Sequence, residues 1–305
     1  MLRDYLHLHF LIFIWGFTAV LGVLISIPAI EVVFLRTFIA SVGLALVLLY
    51  QRQNFNIGMK NALKMILTGF LIGMHWMFFF ASSEVSNASV TLAGAATCAF
   101  WTSILDPIIS KRAVKPFEVI LGLFVIGGLY IIFLFEFNHA IGLGMAVMAA
   151  ILAALFTIIN SKLAKKHHPT MITFYEISGA CLSTILFSPI YVKNFAANGE
   201  LNFNMDTNDI AYILILALIC TVYAYTASVE LMKRISPFAM NLSVNLEPVY
   251  GIMLAYWIIG DSEKMNGGFY IGTLVILFSV LSYPILNYYQ KKRTKKLNLE
   301  EANIR

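Results

Sequence analysis

Charge is scarce in this chain: of 305 residues, only 12% are Asp, Glu, Lys or Arg. A soluble fold of that length covers itself with polar and charged side chains, and there are too few here to do so. Cysteine is rarer still. Cys98, Cys181 and Cys220 fall in three different apolar runs, so neither a disulfide framework nor a cysteine metal set is expected. No stretch rich in Pro, Gly or Ser divides the chain. The signatures of several enzyme classes are missing as well. There is no His-Glu-x-x-His, no Gly-x-Ser-x-Gly and no acidic cluster within one loop. The glycine-rich nucleotide loop with its lysine is also absent, so ATP is not expected as the direct energy source. Neither a cofactor nor a metal is expected.

What the chain does have is apolar length. Hydrophobic residues make up 60% of it. A spanning helix needs ~20 mostly apolar residues. Uncharged runs of that order cover 5–30, 65–83, 85–105, 119–135, 137–161, 210–229 and 265–290. Three further runs are each interrupted by one charge, at Arg36, Glu176 and Glu247. The spacing predicts an all-α integral membrane protein with ten helices, at about 6–27, 30–50, 62–83, 88–110, 117–135, 140–161, 171–191, 210–232, 238–259 and 267–289. The first run is too long for a signal-peptide core and nine more follow, so no cleavable signal is expected.

The cations fix an orientation. With the amino terminus in the cytoplasm, 18 Lys and Arg fall on the cytoplasmic side and 2, Lys193 and Lys264, on the other, while Arg36 lies within a span. Such a bias across short loops sets topology. Both termini are expected in the cytoplasm, in a multi-pass protein of the plasma (inner) membrane. Residues 291–305 form a basic tail suited to anionic lipid headgroups. The net charge of +5 therefore belongs to topology, and no nucleic-acid partner is expected.

Offsetting the sequence by 150 residues pairs the third to fifth spans with the eighth to tenth. Ser86 meets Ser236, Leu92 meets Leu242, and Gly122-Leu-Phe-Val125-Ile126 meets Gly272-Thr-Leu-Val275-Ile276. Two units of five spans follow, 1–136 and 137–290. Five is odd, so the second enters the membrane inverted, as in many secondary transporters. The segments Ala217-Leu-Ile-Cys-Thr221-Val-Tyr-Ala-Tyr225, Leu231-Met-Lys-Arg-Ile-Ser-Pro237 and Asn245-Leu-Glu-Pro248-Val-Tyr-Gly251 resemble the second repeat of the EamA family, in the drug/metabolite transporter superfamily. Trp15-Gly16 and Arg36 stand where that family often has Trp-Gly and an Arg in its second span. The chain departs from the family in having Gly260-Asp261 for the usual Gly-Glu, Lys111-Arg112 near the matching Glu of the first unit, and Cys98 for a span-four Pro. The resemblance implies a ten-helix transporter and leaves the substrate open.

Charges inside a bilayer are costly and usually face a wet interior. Glu247 lies near the midplane, beside Pro248, which has no amide proton and frees the carbonyl of Val244. A carboxyl group with a free carbonyl suits a proton, a cation or a substrate amine, and Pro248 is a candidate hinge. The bland alternative is a neutral, hydrogen-bonded Glu247. Asn241 and Asn245 share the Pro248 face of an ideal helix, whereas Glu247 and Tyr250 lie on nearly the opposite one. Either Pro248 bends the span or one polar face holds helices together. Arg36 offers a planar fork to a carboxylate, or else snorkels to the outer headgroups near Glu31. Glu176 is a candidate coupling group, or an interfacial partner of Lys166, His167 and His168. Trp15, Trp76, Trp101 and Tyr225 lie deep within spans, where an aromatic ring stacks on a cationic or flat solute or simply packs. His75 is a candidate proton carrier or a plain hydrogen-bonded core group. Gly69 and Gly73 suggest close helix packing.

The expected function is secondary transport, as an exporter or proton-coupled exchanger of a small polar or amphipathic metabolite such as an amino acid or amine, by a monomer or homodimer. The alternatives are a membrane enzyme acting on a lipid-linked substrate, and a channel.

Overall fold

The computed structural model describes residues 2–135, 139–196, 199–258 and 267–304. All the regular structure among them is helical. With no water to bond the backbone, a chain this apolar must satisfy its amides within each segment, and a helix does so. The elements are α1 (Leu2–Leu24), α2 (Ala29–Tyr50), α3 (Met59–Val85), α4 (Ala88–Ala95), α5 (Cys98–Ser110), α6 (Pro116–Phe135), α7 (Ala140–Leu163), α8 (Pro169–Asn194), α9 (Thr207–Leu214), a π-helical segment (Ile215–Tyr223), α10 (Ala224–Leu231), α11 (Pro237–Val244), α12 (Glu247–Ile258) and α13 (Gly267–Ile304). Among the described residues, eight stretches are long and apolar enough to cross a membrane, and α6 adds a shorter apolar helix.

Three of the expected spans are not uniform helices. Residues 207–231 widen into π geometry at their centre. The other two tighten. Thr97 N–H bonds Gly94 O at 3.2 Å, three residues back, between α4 and α5; Asn245 and Leu246 do the same to Leu242 and Ser243 at 3.2 and 3.0 Å, between α11 and α12. The two tight turns sit in matching settings. Asn87 caps α4 by accepting from Val90 N–H at 2.8 Å, and Ser236 caps α11 by accepting from Ala239 N–H at 3.3 Å. Each cap opens an eight-residue helix. Counted by these elements the offset is 149, one less than the residue matches suggest, and Cys98 then falls opposite Glu247. The 150-residue offset rests on scattered matches between apolar residues, which a one-residue slip barely changes. Gly260 and Asp261 lie outside the described residues, and so does the side chain of Pro248.

Packing follows small residues, because lipid offers no hydrophobic drive between helices. α3 lies against α8, where Gly69 meets the backbone carbonyl of Glu176 and Gly73 meets Ser183 and Ala180; any side chain at Gly69 would strike that carbonyl. α1 crosses α12 at Gly16 and Gly251, with α12 backbone 3.1 Å from a Cβ placed on Gly16. α7 packs on α3, α4 and α5, and α6 packs along α13. These crossings leave a space enclosed by α1, α2, α3, α7, α10 and the tightened turns.

Candidate functional site

That space is a cavity of about 120 Å³. Pockets for drug-sized ligands are commonly ~300–1,000 Å³, so the dimensions suit a small solute. Its wall is mostly aromatic, sulfur-bearing and alanine side chains, with a few polar groups aimed inward.

Arg36 is 2% exposed. Its Nε donates to Thr221 Oγ1 at 2.8 Å, and its guanidinium lies over the Trp76 ring with Cζ 4.0 Å from the centroid. It does not snorkel: Glu31 instead accepts from Asn202 N–H at 2.8 Å. The π segment explains the Thr221 position. Its hydroxyl donates to Leu216 O at 2.8 Å, five residues back, which is the π repeat. The hydroxyl oxygen is thereby left free to accept from Arg36. Trp15 Nε1 bonds Cys220 O in the same segment at 3.2 Å.

Glu247 is 9% exposed and faces the cavity, with the Thr18 hydroxyl beside its carboxyl group. Arg36 and Glu247 feel one another's charge but form no ion pair. Asn241 also lines the cavity, and its Nδ2 donates to Thr102 Oγ1 at 2.7 Å. In a straight α-helix Asn241 and Glu247 would stand about 120° apart. The tight turn at Asn245–Leu246 brings Asn241, Val244 and Glu247 onto one face, because three-residue spacing eclipses side chains. Neither Asn245 nor Tyr250 lines the cavity. Asn245 is 1% exposed with both amide atoms unpartnered, and Tyr250 packs edge-on against Phe13 at 5.6 Å. Trp101 is also outside it, edge-on to Phe100 at 5.1 Å with its indole N–H unpartnered.

His75 lines the cavity and bonds Ala149 O through Nδ1 at 2.8 Å. A carbonyl only accepts, so Nδ1 carries the hydrogen, and in the neutral ring Nε2 is left as an acceptor. Tyr225 lines the cavity too, edge-on to Trp76 at 6.3 Å. Behind it Glu176 is fully buried, held by Asn160 and Tyr225 at 3.1 Å each, and not by Lys166, His167 or His168. Asp106 and Glu230 pair locally, Asp106 with Arg112 at 2.7 Å and Glu230 with Lys233 and Arg234 at 2.6 and 3.3 Å. Sequence reasoning missed Thr18, Asn160, Thr221 and the cavity faces of Cys98, Cys220, Met232 and Met240. Asn160 alone left a signal, as an amide near the end of the apolar run 137–161.

A charged fork and a carboxyl group thus share one enclosed space with the indoles of Trp15 and Trp76. The family model described as the EamA-like transporter family matches residues 5–134 and again 140–283. The chain belongs to that family. Like other members of a family described as transporters, this EamA chain is a multi-pass membrane protein, and the family points to transport rather than enzymology. A relative from Archaeoglobus fulgidus, named only as an uncharacterized transporter, is 22% identical over 199 residues. The match covers 65% of this chain and 66% of the relative, just under two thirds of the relative's length. A solved crystal structure superposes with a TM-score of 0.70 at 12% identity, over 93% of this chain and 98% of the other, which establishes shared fold alone.

Proposed function

We propose that this EamA protein is a secondary active transporter that exchanges protons for a small solute carrying both an anionic and a cationic group, of amino-acid type. The observation that carries the proposal is the placement of the Arg36 guanidinium and the Glu247 carboxyl group, both buried and not ion-paired with each other, on one cavity of about 120 Å³. Arg36 stays charged and offers a fork to a carboxylate. Glu247 offers its carboxylate to an ammonium group. A proton and an ammonium compete for that one carboxylate, so loading either displaces the other. Exchange then needs no second site, and one proton per solute is the simplest stoichiometry.

The architecture proposed with it is ten spans in two inverted five-helix units, 1–136 and 137–290, in the plasma membrane with both termini cytoplasmic. The paired tight turns and their 149-residue spacing support the duplication, as do two separate matches to one family model. Such units rock about a midplane site to open it to either face.

The test is solute counterflow and pH-driven accumulation in proteoliposomes. Glu247→Gln keeps the shape and removes titration. It should abolish accumulation driven by a pH gradient while expression is maintained. Undiminished accumulation by that variant removes Glu247 from the coupling role, and flux that does not saturate favours a channel.

A further inference from the structure

Behind the cavity, α7, α8 and α10 bring together Asn160, Glu176 and Tyr225, each buried. Their hydrogen bonds can be counted. Asn160 Nδ2 has two hydrogens, one donated to Glu176 Oε2 at 3.1 Å and the other to the Tyr225 hydroxyl oxygen at 2.8 Å. The Tyr225 hydroxyl donates to the same Oε2 at 3.1 Å. All three donors are then spent. Glu176 Oε1 and Asn160 Oδ1 remain, both buried and both without a partner.

Two orphan acceptors on neighbouring groups are costly, since a buried polar atom without a bond forfeits its desolvation. A single hydrogen on Oε1 repairs both, giving Oε1 a donor and Oδ1 something to accept. With that hydrogen aimed at Oδ1, the acid and the amide would pair in both directions, N–H to carboxyl and O–H to amide oxygen. Turning the Asn160 amide over does not remove the need. Its oxygen then faces the carboxyl group, and again a carboxyl proton fills the gap. The cluster is one proton short.

Among the described residues no cation stands in for that proton. Lys162, on α7, is bonded to Ile109 O at 2.9 Å. α3 meets α8 at Gly69 and Gly73, and its titratable His75 is bonded to Ala149 O. Lys64, on the same helix, makes no ion pair with Glu176, and Arg36 on α2 is held by Thr221 and Trp76. Tyr225, from α10, is the titratable group in contact with the carboxyl.

We propose that Glu176, Asn160 and Tyr225 form a second proton-binding site, separate from Glu247, whose occupancy is linked to the cavity through the Tyr225 hydroxyl. Tyr225 lines the cavity and bonds Glu176 at once. A solute that engages Tyr225 changes the donor set around the carboxyl and so its hold on the proton, and by linkage the proton changes solute affinity equally. The linkage rests on the cavity being the solute site. The bound proton does not.

Infrared spectroscopy of the purified protein in lipid nanodiscs reads protonated carboxylic acids directly. The acid carbonyl band should lose a component in Glu176→Gln that Glu247→Gln retains. Glu176→Gln supplies an N–H where the acid had O–H, so its melting temperature should match that of the parent, whereas Glu176→Leu should lower it. Tyr225→Phe should move the pH midpoint of the band by about one unit, the effect of one hydrogen bond to a charged group. A band unchanged in Glu176→Gln, or a Glu176→Gln protein that fails to fold, overturns the bound proton. A midpoint unmoved in Tyr225→Phe overturns the linkage. Loss of pH-driven accumulation in Glu247→Gln is a separate readout, so failure of the transport proposal is distinguishable from failure of this one.

Discussion

The guanidinium of Arg36 lies 4.0 Å above the indole of Trp76, and Thr221 takes its Nε hydrogen at 2.8 Å. Among the described residues no carboxylate forms an ion pair with it. A permanently charged group in an apolar interior is thus held by the Trp76 and Phe80 rings and one hydroxyl, with the rest of its fork unspent.

Arg36→Lys keeps the charge and loses both the stacked plane and the Nε bond. Uptake of a carboxylated solute should fall at least ~tenfold, the value of one charged hydrogen bond. Expression should not change. Initial rates in proteoliposomes, normalised to protein, measure this. A rate equal to that of the parent would leave the fork without a role in solute binding.

The all-helical, multi-pass class was legible in the sequence because a membrane imposes a length rule. Runs near ~20 residues can be little else than spans. Arg36, Glu176 and Glu247 stood out because each is a charge where charge is costly. Their partners did not stand out. Thr221 reaches Arg36 only because a π turn redirects it, and no periodic pattern announces a π turn. Asn241 and Glu247 looked opposed on an ideal wheel, and three-residue spacing at Asn245–Leu246 set them on one face. Trp101 and Tyr250 looked like Trp15 and Trp76 by depth. Which way a deep aromatic points depends on neighbouring helices, and a single span does not encode that.

Gly69→Ala should separate α3 from α8, because the new Cβ would strike the Glu176 carbonyl. Overpacking of this kind costs ~1–3 kcal/mol. Gly144→Ala is the contrast. No atom lies within 4 Å of a Cβ placed there, and Ala suits a helix interior better by ~0.5–1 kcal/mol. Melting temperatures in one detergent should fall for the first and hold or rise for the second.

A reporter active only outside the cytoplasm should be silent when fused after Arg305 and active when inserted between Leu201 and Asp206. The motive is the 18-to-2 distribution of Lys and Arg. The opposite result would overturn the orientation proposed for the spans.

Pro248→Ala tests what aligns the cavity face of α11 and α12. Proline has no amide hydrogen, so residue 248 cannot bond Val244 O four residues back. The neighbouring amides of Asn245 and Leu246 bond three residues back instead. Alanine restores the missing donor and favours regular α spacing through the turn. Regular spacing would swing Glu247 about 120° from Asn241 and away from the cavity. The variant should therefore transport several-fold more slowly while melting no lower than the parent, since alanine suits the first turn of α12 at least as well as proline and adds a backbone donor. The first unit offers an internal control, because Thr97 N–H bonds three residues back there while Ala99, not proline, stands where the 149-residue offset places Pro248. There Thr97 Oγ1 donates to Gly94 O at 2.8 Å, a local bond that holds the turn without proline. Thr97→Val should then slow transport in the same way. A Pro248→Ala protein that transports at the parental rate would show that the turn at Asn245–Leu246 is set by packing alone.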